Sequence, residues 1–524
     1  MREPSISEYD KFAYPTAVYA QTHPDRLATI SALMGLPAAR IERARVLELG
    51  CGDGNNLITM ACTLPDGTFQ GIDLAIEPIR RGQETISALG LKNVTLRQMN
   101  ILEAPADLGT FDYIIAHGLY SWVPEAVREK ILEICRGHLA ENGVAYVSFN
   151  AYPGNHLRDA VRRMMRFHVQ QFSGPQEQIR QARAFLKFLA EAKTNSSHWH
   201  DLLKHQFERI EKYVDAGFFH DDLSPINQPF YFYEFMDAAS RRGLQFLGEA
   251  DFTDMQPPGS DVGDEAAAVL REMEQMGLTA REQYLDFVKG RSFRQTLLCR
   301  QEQSLDRNVK PECVFKLYAA ADTVPVKLDA DPAAPGPEDF RRGKSVIATG
   351  HPVFKSALIF LGRVWPRRVP FNELLEKARE RVGRDKTTLD SDRGDLAEFL
   401  IRCYAIGFAD LHSYASTFVT EISERPMASP LARQQIRKGP VVSSPRHLPL
   451  KIEDALGRDL LRLLDGTRDR EALLKELGAG VKAGSTPIYS DGKPITEPQK
   501  AVELLAAQLE PSLVSLARLG LMVG

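Results

Sequence analysis

The chain reads as an α/β protein: a Rossmann-like, doubly wound sheet carrying a helical insertion, followed by C-terminal α+β domains of winged-helix type. Three observations predict this. Between Ala44 and Phe149, short β-branched or apolar runs alternate with helical stretches, the pattern of a parallel sheet covered on both faces. A long charged tract rich in Arg, Gln, Lys and Ala, roughly 155 to 215, then interrupts the alternation. Beyond residue 344, short amphipathic helices leading to a strand recur in two successive units, without a strict sequence repeat.

The elements follow in order. Residues 1–40 hold Tyr9, Phe12, Tyr14, Tyr19 and the run Gln21-Thr22-His23-Pro24, an aromatic arm expected to serve as a lid or a dimer contact. The domain 41–154 contains the strand candidates VLEL (46–49), TFQGIDL (68–74), VTLRQM (94–99), FDYIIAH (111–117) and GVAYVSF (143–149). The helical insertion is assigned to 155–242. Within 243–325, GLQFLGEA (243–250) and SFRQTLLCR (292–300) are expected to close the same sheet as an antiparallel pair. The run DADPAAPGPED (329–339) predicts a linker over 326–343, because Pro, Asp and Ala favour extended chain. Residues 344–432 and 433–524 are the two winged-helix-like units.

At 524 residues, and with about 150 residues per domain as a prior, three or four domains are expected. A balance of 65 Lys+Arg against 69 Asp+Glu, with 44% hydrophobic and 26% charged residues, is that of an ordinary globular protein. The charge is uneven: residues 344–524 carry 27 basic and 22 acidic side chains, net +5, leaving −9 for the rest. That surplus is thin for a duplex-binding face, so no nucleic-acid partner is expected. The six cysteines lack the two-residue spacing of a metal knuckle and suggest no disulfide framework. The N-terminus MREPSISEYD lacks the basic and apolar regions of a signal peptide, and no run of 18 apolar residues exists. A cytoplasmic protein without membrane insertion is the expectation.

The strongest local signal is VLELGCGDGNN (46–56): a strand, then Gly50-x-Gly52-x-Gly54, then a helix start. Glycines there allow a tight turn and close approach of a ligand to backbone N–H groups. Dinucleotide folds use GxGxxG to seat a pyrophosphate. Here the spacing is GxGxG, and Glu48 and Asp53 would repel a pyrophosphate while suiting a cationic ligand such as S-adenosylmethionine. Cys51 and Asn55 complete the loop, Cys51 as a small packing residue. Asp73, followed by Leu74, ends the second strand, where a carboxylate can accept both hydroxyls of a ribose. Asn100 and Ile101 follow the third strand, at an adenine-contacting position, and His117 and Gly118 close the fourth beneath the methionine part.

This constellation resembles the class I S-adenosylmethionine-dependent methyltransferases over 46–150. Further motifs, Gln21-Thr22-His23-Pro24, Tyr120-Ser121-Trp122-Val123-Pro124, Asn150-Ala151-Tyr152-Pro153-Gly154, Asn227-Gln228-Pro229-Phe230 and Phe293-Arg294-Gln295-Thr296, are similar to bacterial methyltransferases with a methyltransferase regulatory domain. Arg425-Pro426-Met427-Ala428-Ser429-Pro430 and the winged-helix-like part look like the rickettsial outer-membrane-protein lysine methyltransferases. The resemblance implies methyl transfer to lysine ε-amines of a protein substrate, with S-adenosylmethionine as cofactor; a homodimer would follow from the arm's reading as a dimer contact. A lysine near pKa 10.4 is neutral in only about one molecule in several thousand at pH 7, so the acceptor slot must desolvate and aim the amine. Tyr14, Tyr120, Trp122, Asn150 and Tyr152 are the candidates, with no dedicated strong base required; His23 reads as structural. Two alternatives stay open: a small-molecule methyltransferase, and a DNA-binding regulator with a methyltransferase-like half.

Overall fold

The computed structural model describes residues 12, 14, 17–192, 197–257, 269, 272–273, 275–327, 330–484, 486, 489–490, 493–495 and 497–524. Tyr9, part of the aromatic arm, and Asp329, at the start of the expected linker, lie outside them. Strands β1 (Arg45–Leu49), β2 (Thr68–Asp73), β3 (Val94–Gln98), β4 (Phe111–Ala116), β5 (Leu139–Asn150), β6 (Leu244–Glu249) and β7 (Phe293–Arg300) form one sheet in the order β3-β2-β1-β4-β5-β7-β6. The first five pair in parallel. β7 runs antiparallel between β5 and β6, as the sequence predicted. All six residues of β4 are buried, which is why that strand reads as an unbroken apolar run.

Helices α1 (Pro24–Leu33), α2 (Asn55–Thr63), α3 (Ile76–Leu89) and α4 (Glu125–His138) cover the two faces, dividing the core into two clusters. Chain order reverses direction at β1 and β4, so their carboxyl ends open the crevice. The insertion starts at that crevice: α5 (Asn155–Val169) leaves directly after β5 and packs with α6 (Pro175–Glu191) and α7 (Ser197–Glu211). This bundle has its own core around Met165, Leu186, Leu203 and Phe218. It returns through a π-helical turn, Phe219–Leu223, and α8 (Phe232–Arg241) to the sheet.

Behind the sheet edge, Arg294 of β7 is fully buried and bonded to Asp286 (2.8 and 2.9 Å), Glu249 (2.5 Å) and Glu282 (3.2 Å). Asp286 and Glu282 belong to α9 (Leu278–Lys289), and the guanidinium also lies 3.9 Å from the Phe232 ring centroid. One buried cation therefore joins β6, β7, α8 and α9.

The expected linker is not an open chain. Its second half is strand β10 (Glu338–Arg342), paired with β11 (Ser345–Thr349) and with β9 (Val324–Pro325). The alternation Glu-Asp-Phe-Arg-Arg, with Phe340 buried, outweighs the neighbouring Pro and Ala residues. The first C-terminal unit also begins earlier than the sequence implied, since β8 (Tyr318–Ala320) is the centre of its sheet β12-β8-β13 (Val369–Pro370 and Asp410–His412). Its helices α10 (Pro352–Val364), α11 (Phe371–Arg381) and α12 (Leu389–Ala405) share one core with α1 and a face of the large sheet. The second unit has a separate core and contains α13 (Pro430–Gln435), the hairpin β14–β15 (Val441–Ser443 and Pro449–Lys451), α14 (Ala455–Leu463), α15 (Arg470–Lys482) and α16 (Pro498–Arg518). All six cysteines are free thiols, and among the described residues no helix is long and apolar enough to cross a membrane.

Candidate functional site

The glycine loop leaves β1 and is tied to β2 by Gly50 N and Cys51 N, which both donate to the Ile72 carbonyl at 2.8 and 3.1 Å. Asp73 finishes the tie: Oδ2 accepts from Gly52 N and Oδ1 from Ala75 N, each at 2.8 Å. Gly52 has φ +57°, and a Cβ there would meet nothing within 4 Å, so the loop presents bare backbone to open space. Gly54 is a packing glycine instead, because its Cβ would lie 2.6 Å from Leu96. Gly82 of α3, which the sequence reading passed over, lets the helix approach the loop: a Cβ would sit 2.2 Å from the Asp53 carbonyl oxygen.

Glu48 is buried beside this loop. Its Oε1 accepts from Asn56 Nδ2 at 2.9 Å, and its Oε2 has no hydrogen-bond partner. Burial, with Asp53 and Asp73 nearby and only partly offset by the Asn56 bond, pushes its carboxyl up to about 8. Asn56 is a hub. Its Oδ1 accepts from Tyr19 N (3.2 Å), and its Nδ2 also donates to Thr22 Oγ1 (3.0 Å). His447 Nε2, from the far end of the chain, lies 2.7 Å from the same Oδ1. His447 is buried, is held well below its ordinary pKa by that burial, and therefore donates as the neutral Nε2–H form. It is also the one non-glycine with a positive φ (60°) among the described residues, a conformation that persists only where its surroundings hold it. Beside it, Gln435 Nε2 donates to Asn55 Oδ1 at 2.9 Å, and Asn55 Nδ2 to Ser443 Oγ at 3.2 Å.

A cavity of about 820 Å³ opens over the carboxyl ends of β1 and β4. Glu48, Gly50, Cys51, Gly52, Asp53, Asn55, Asp73, Leu74, Asn100, Ile101, His117 and Gly118 all line it, and Gly54 alone of the loop set does not. Burial raises the Cys51 thiol well above its usual value, so it stays protonated and packs. Burial also lowers His117 to about 4; its Nδ1 lies 3.0 Å from Tyr146 Oη and its ring centroid 4.0 Å from that of Tyr19, the planes tilted by 47°. The arm thus folds across the cavity through Tyr14 and Tyr19.

The acceptor candidates divide. Tyr14, Trp122 and Asn150 line the cavity. Tyr120 is buried against Phe149, Phe230 and Phe235, and Tyr152 stacks on His156 with centroids 3.9 Å apart; neither reaches the cavity wall. Asn150 Nδ2 donates to Asn227 Oδ1 at 2.9 Å, which brings two separate sequence motifs together and leaves the Asn150 amide oxygen for another donor. The insertion supplies residues that the sequence does not single out: Arg158, Gln206, Arg209 and Asp221 line the same cavity. Asp222 is fully buried and clamps Arg158 (2.9 Å) to Arg209 (2.9 Å), while Asp221 accepts from Tyr213 Oη and, at 3.5 Å, from Tyr14 Oη. Burial raises the Asp221 carboxyl. The adjacent acids Asp221-Asp222, just upstream of the Asn227 motif, were the available signal.

The donor set fits S-adenosylmethionine. An orphaned buried carboxylate oxygen at Glu48 suits a cation, a carboxylate at the end of β2, Asp73, suits vicinal hydroxyls, and Gly52 and Gly118 leave the cradle open, since a Cβ at either would meet nothing within 4 Å.

Comparison with known proteins agrees with this geometry. Residues 46–143 match a methyltransferase domain, 214–300 a predicted methyltransferase regulatory domain, and 424–521 the PKMT C-terminal winged helix domain. An uncharacterized protein of Rickettsia prowazekii (strain Madrid E) is 28% identical over 513 residues, covering 96% of this chain and 91% of that protein. A second from the same organism is 36% identical over 240 residues, 46% of this chain and 96% of the relative. The solved structure of PKMT2 from Rickettsia typhi in complex with AdoHcy superposes with a TM-score of 0.87 at 27% identity, covering 98% of this chain and all of the other.

Proposed function

The chain belongs to the class I S-adenosylmethionine-dependent methyltransferases that carry a methyltransferase regulatory domain and a PKMT winged-helix domain, and from that membership we propose that it methylates lysine ε-amines of a protein substrate. The observation that carries the reading is that Asp221, Tyr14, Trp122 and Asn150 share one cavity with the glycine loop, Glu48 and Asp73.

On this reading Glu48 would face the ammonium of the cofactor, Asp73 its ribose hydroxyls, Asn100 and Ile101 its adenine, and His117 and Gly118 its methionine part. When bound, S-adenosylmethionine supplies a methyl carbon made electrophilic by its sulfonium. Asp221 would receive the entering lysine as an ammonium and take its proton, because a carboxyl raised by burial is a better proton acceptor than an exposed one. Tyr14, bonded to Asp221, and Trp122 would strip water from the amine, and Asn150 would accept an N–H and turn the lone pair towards the methyl. The −9 charge of residues 1–343 favours the approach of a cationic segment.

The test is mass spectrometry of a bacterial surface-protein panel incubated with the protein and labelled S-adenosylmethionine. New methyl-lysine peptides support the reading. Label confined to metabolites would replace it with a small-molecule methyltransferase.

A further inference from the structure

A second cavity, about 220 Å³, lies where α1, the first C-terminal unit and the second C-terminal unit meet. Guanidinium groups dominate its wall. Arg342 pairs with Asp410 at 2.5 Å, and Arg368 with Asp25 at 3.5 Å. Asp25 is further committed to His412 Nδ1 (2.6 Å) and to Ser413 N (2.7 Å). Both carboxylates are therefore spent.

One guanidinium remains over. Arg368 Nη1 is buried and makes no hydrogen bond, its contact being the 3.5 Å ion pair to Asp25. Arg446 has no carboxylate within ion-pair distance and no hydrogen-bond acceptor among the described residues; its guanidinium lies 4.4 Å from the Trp365 ring centroid, an aromatic contact that orients the plane without neutralising the charge. The imidazoles of His23, His412 and His447 in the same wall are driven towards neutrality by burial and add no counter-charge. A half-buried guanidinium without an acceptor is costly to maintain, and its fork of N–H donors matches oxyanions.

We propose that this junction binds a phosphate group, as the free ion or as a small phosphomonoester, held by Arg446 with the Arg368 guanidinium in the same wall. Phosphate is favoured over a single carboxylate because it places close to two negative charges on one compact centre between two cations. The cavity, about 220 Å³, has room for one such group with part of its hydration shell.

The experiment uses the full chain with S-adenosylmethionine present, so that the first cavity is filled. Thermal unfolding and calorimetry are followed against inorganic phosphate in one arm and O-phosphoserine in the other, each compared with chloride at equal ionic strength. A saturable rise in Tm with measurable heat in either arm is expected, and the stronger arm identifies the source. Arg446→Gln should remove the shift and Arg446→Lys should retain part of it. Trp365 emission should change with phosphate in the wild-type chain, which keeps the test open if Arg446→Gln folds poorly. No phosphate-specific shift, heat or Trp365 signal in the wild type, or an undiminished response in Arg446→Gln, overturns the proposal.

Discussion

His447 Nε2 donates to Asn56 Oδ1 at 2.7 Å, and Asn56 Nδ2 donates in turn to Glu48 Oε1 at 2.9 Å. Two hydrogen bonds thus link the winged-helix unit to the Glu48 carboxyl in the wall of the large cavity. Removing the imidazole leaves a buried acceptor short of a donor, a cost of about 1–2 kcal/mol. His447→Ala is expected to weaken S-adenosylmethionine binding by about 5- to 30-fold, read by calorimetry. Unchanged affinity in a folded variant would show that the link does not position Glu48.

Glu48 makes binding depend on pH. Its folded-state carboxyl is raised from 4.5 to about 8, so between these values the folded chain holds a proton that the unfolded chain has lost. Its contribution to stability is therefore complete below about pH 4.5 and falls as pH rises through about 8. A cationic ligand favours the ionised form, so affinity for S-adenosylmethionine should rise with pH, by at most about tenfold per unit between about pH 6 and about pH 7.5, with proton release. Calorimetry in two buffers of different ionisation heat measures the protons. Glu48→Gln should abolish both effects.

Asp221→Asn is expected to lower the rate of lysine methylation by about 10²- to 10⁴-fold with S-adenosylmethionine affinity unchanged. In the wild type, activity should fall on the acid side as Asp221 protonates, and the variant should lose that limb from its pH profile. Equal losses of rate and cofactor affinity would assign Asp221 to the architecture of the insertion.

Gly52→Val puts a branched side chain where the loop now offers bare backbone at φ +57°, and it should abolish cofactor binding. Asp73→Ala should weaken it by two routes, because Asp73 also anchors Gly52 N. Binding intact in both would move the cofactor elsewhere.

Arg294→Met leaves the buried Glu249, Asp286 and Glu282 with only Arg291 and Arg281 to pair with, and should destabilise the fold by about 3–5 kcal/mol in denaturant unfolding. Little change would mean that the three acids protonate at small cost.

Local pattern made the sheet legible. β1 to β5 carry their apolar periodicity and glycine turns within a few residues, and the loop residues Glu48 to Asn55 follow from one strand and one turn. What was not legible depends on distance along the chain. Asn56 and His447 are 391 positions apart, and neither has a pattern that announces the other. Tyr120 and Trp122 are two residues apart with similar chemistry, yet one faces a Phe cluster and the other the cavity, a difference set by the Tyr120–Trp122 3-10 turn. Arg158, Arg209 and Asp221 look like solvated helix charges until the bundle brings them to the cavity. The linker was misread because composition was weighed there above alternation.

The His447 contact also bears on when the protein can work during its own synthesis. The loop, β1 and α2 leave the ribosome early, yet the full set of hydrogen bonds around Asn56 exists only after residue 447 has emerged and β14–β15 has docked. A nascent chain can fold its sheet before this network closes, so the cavity gains its last hydrogen bond to Asn56 only once residue 447 is in place.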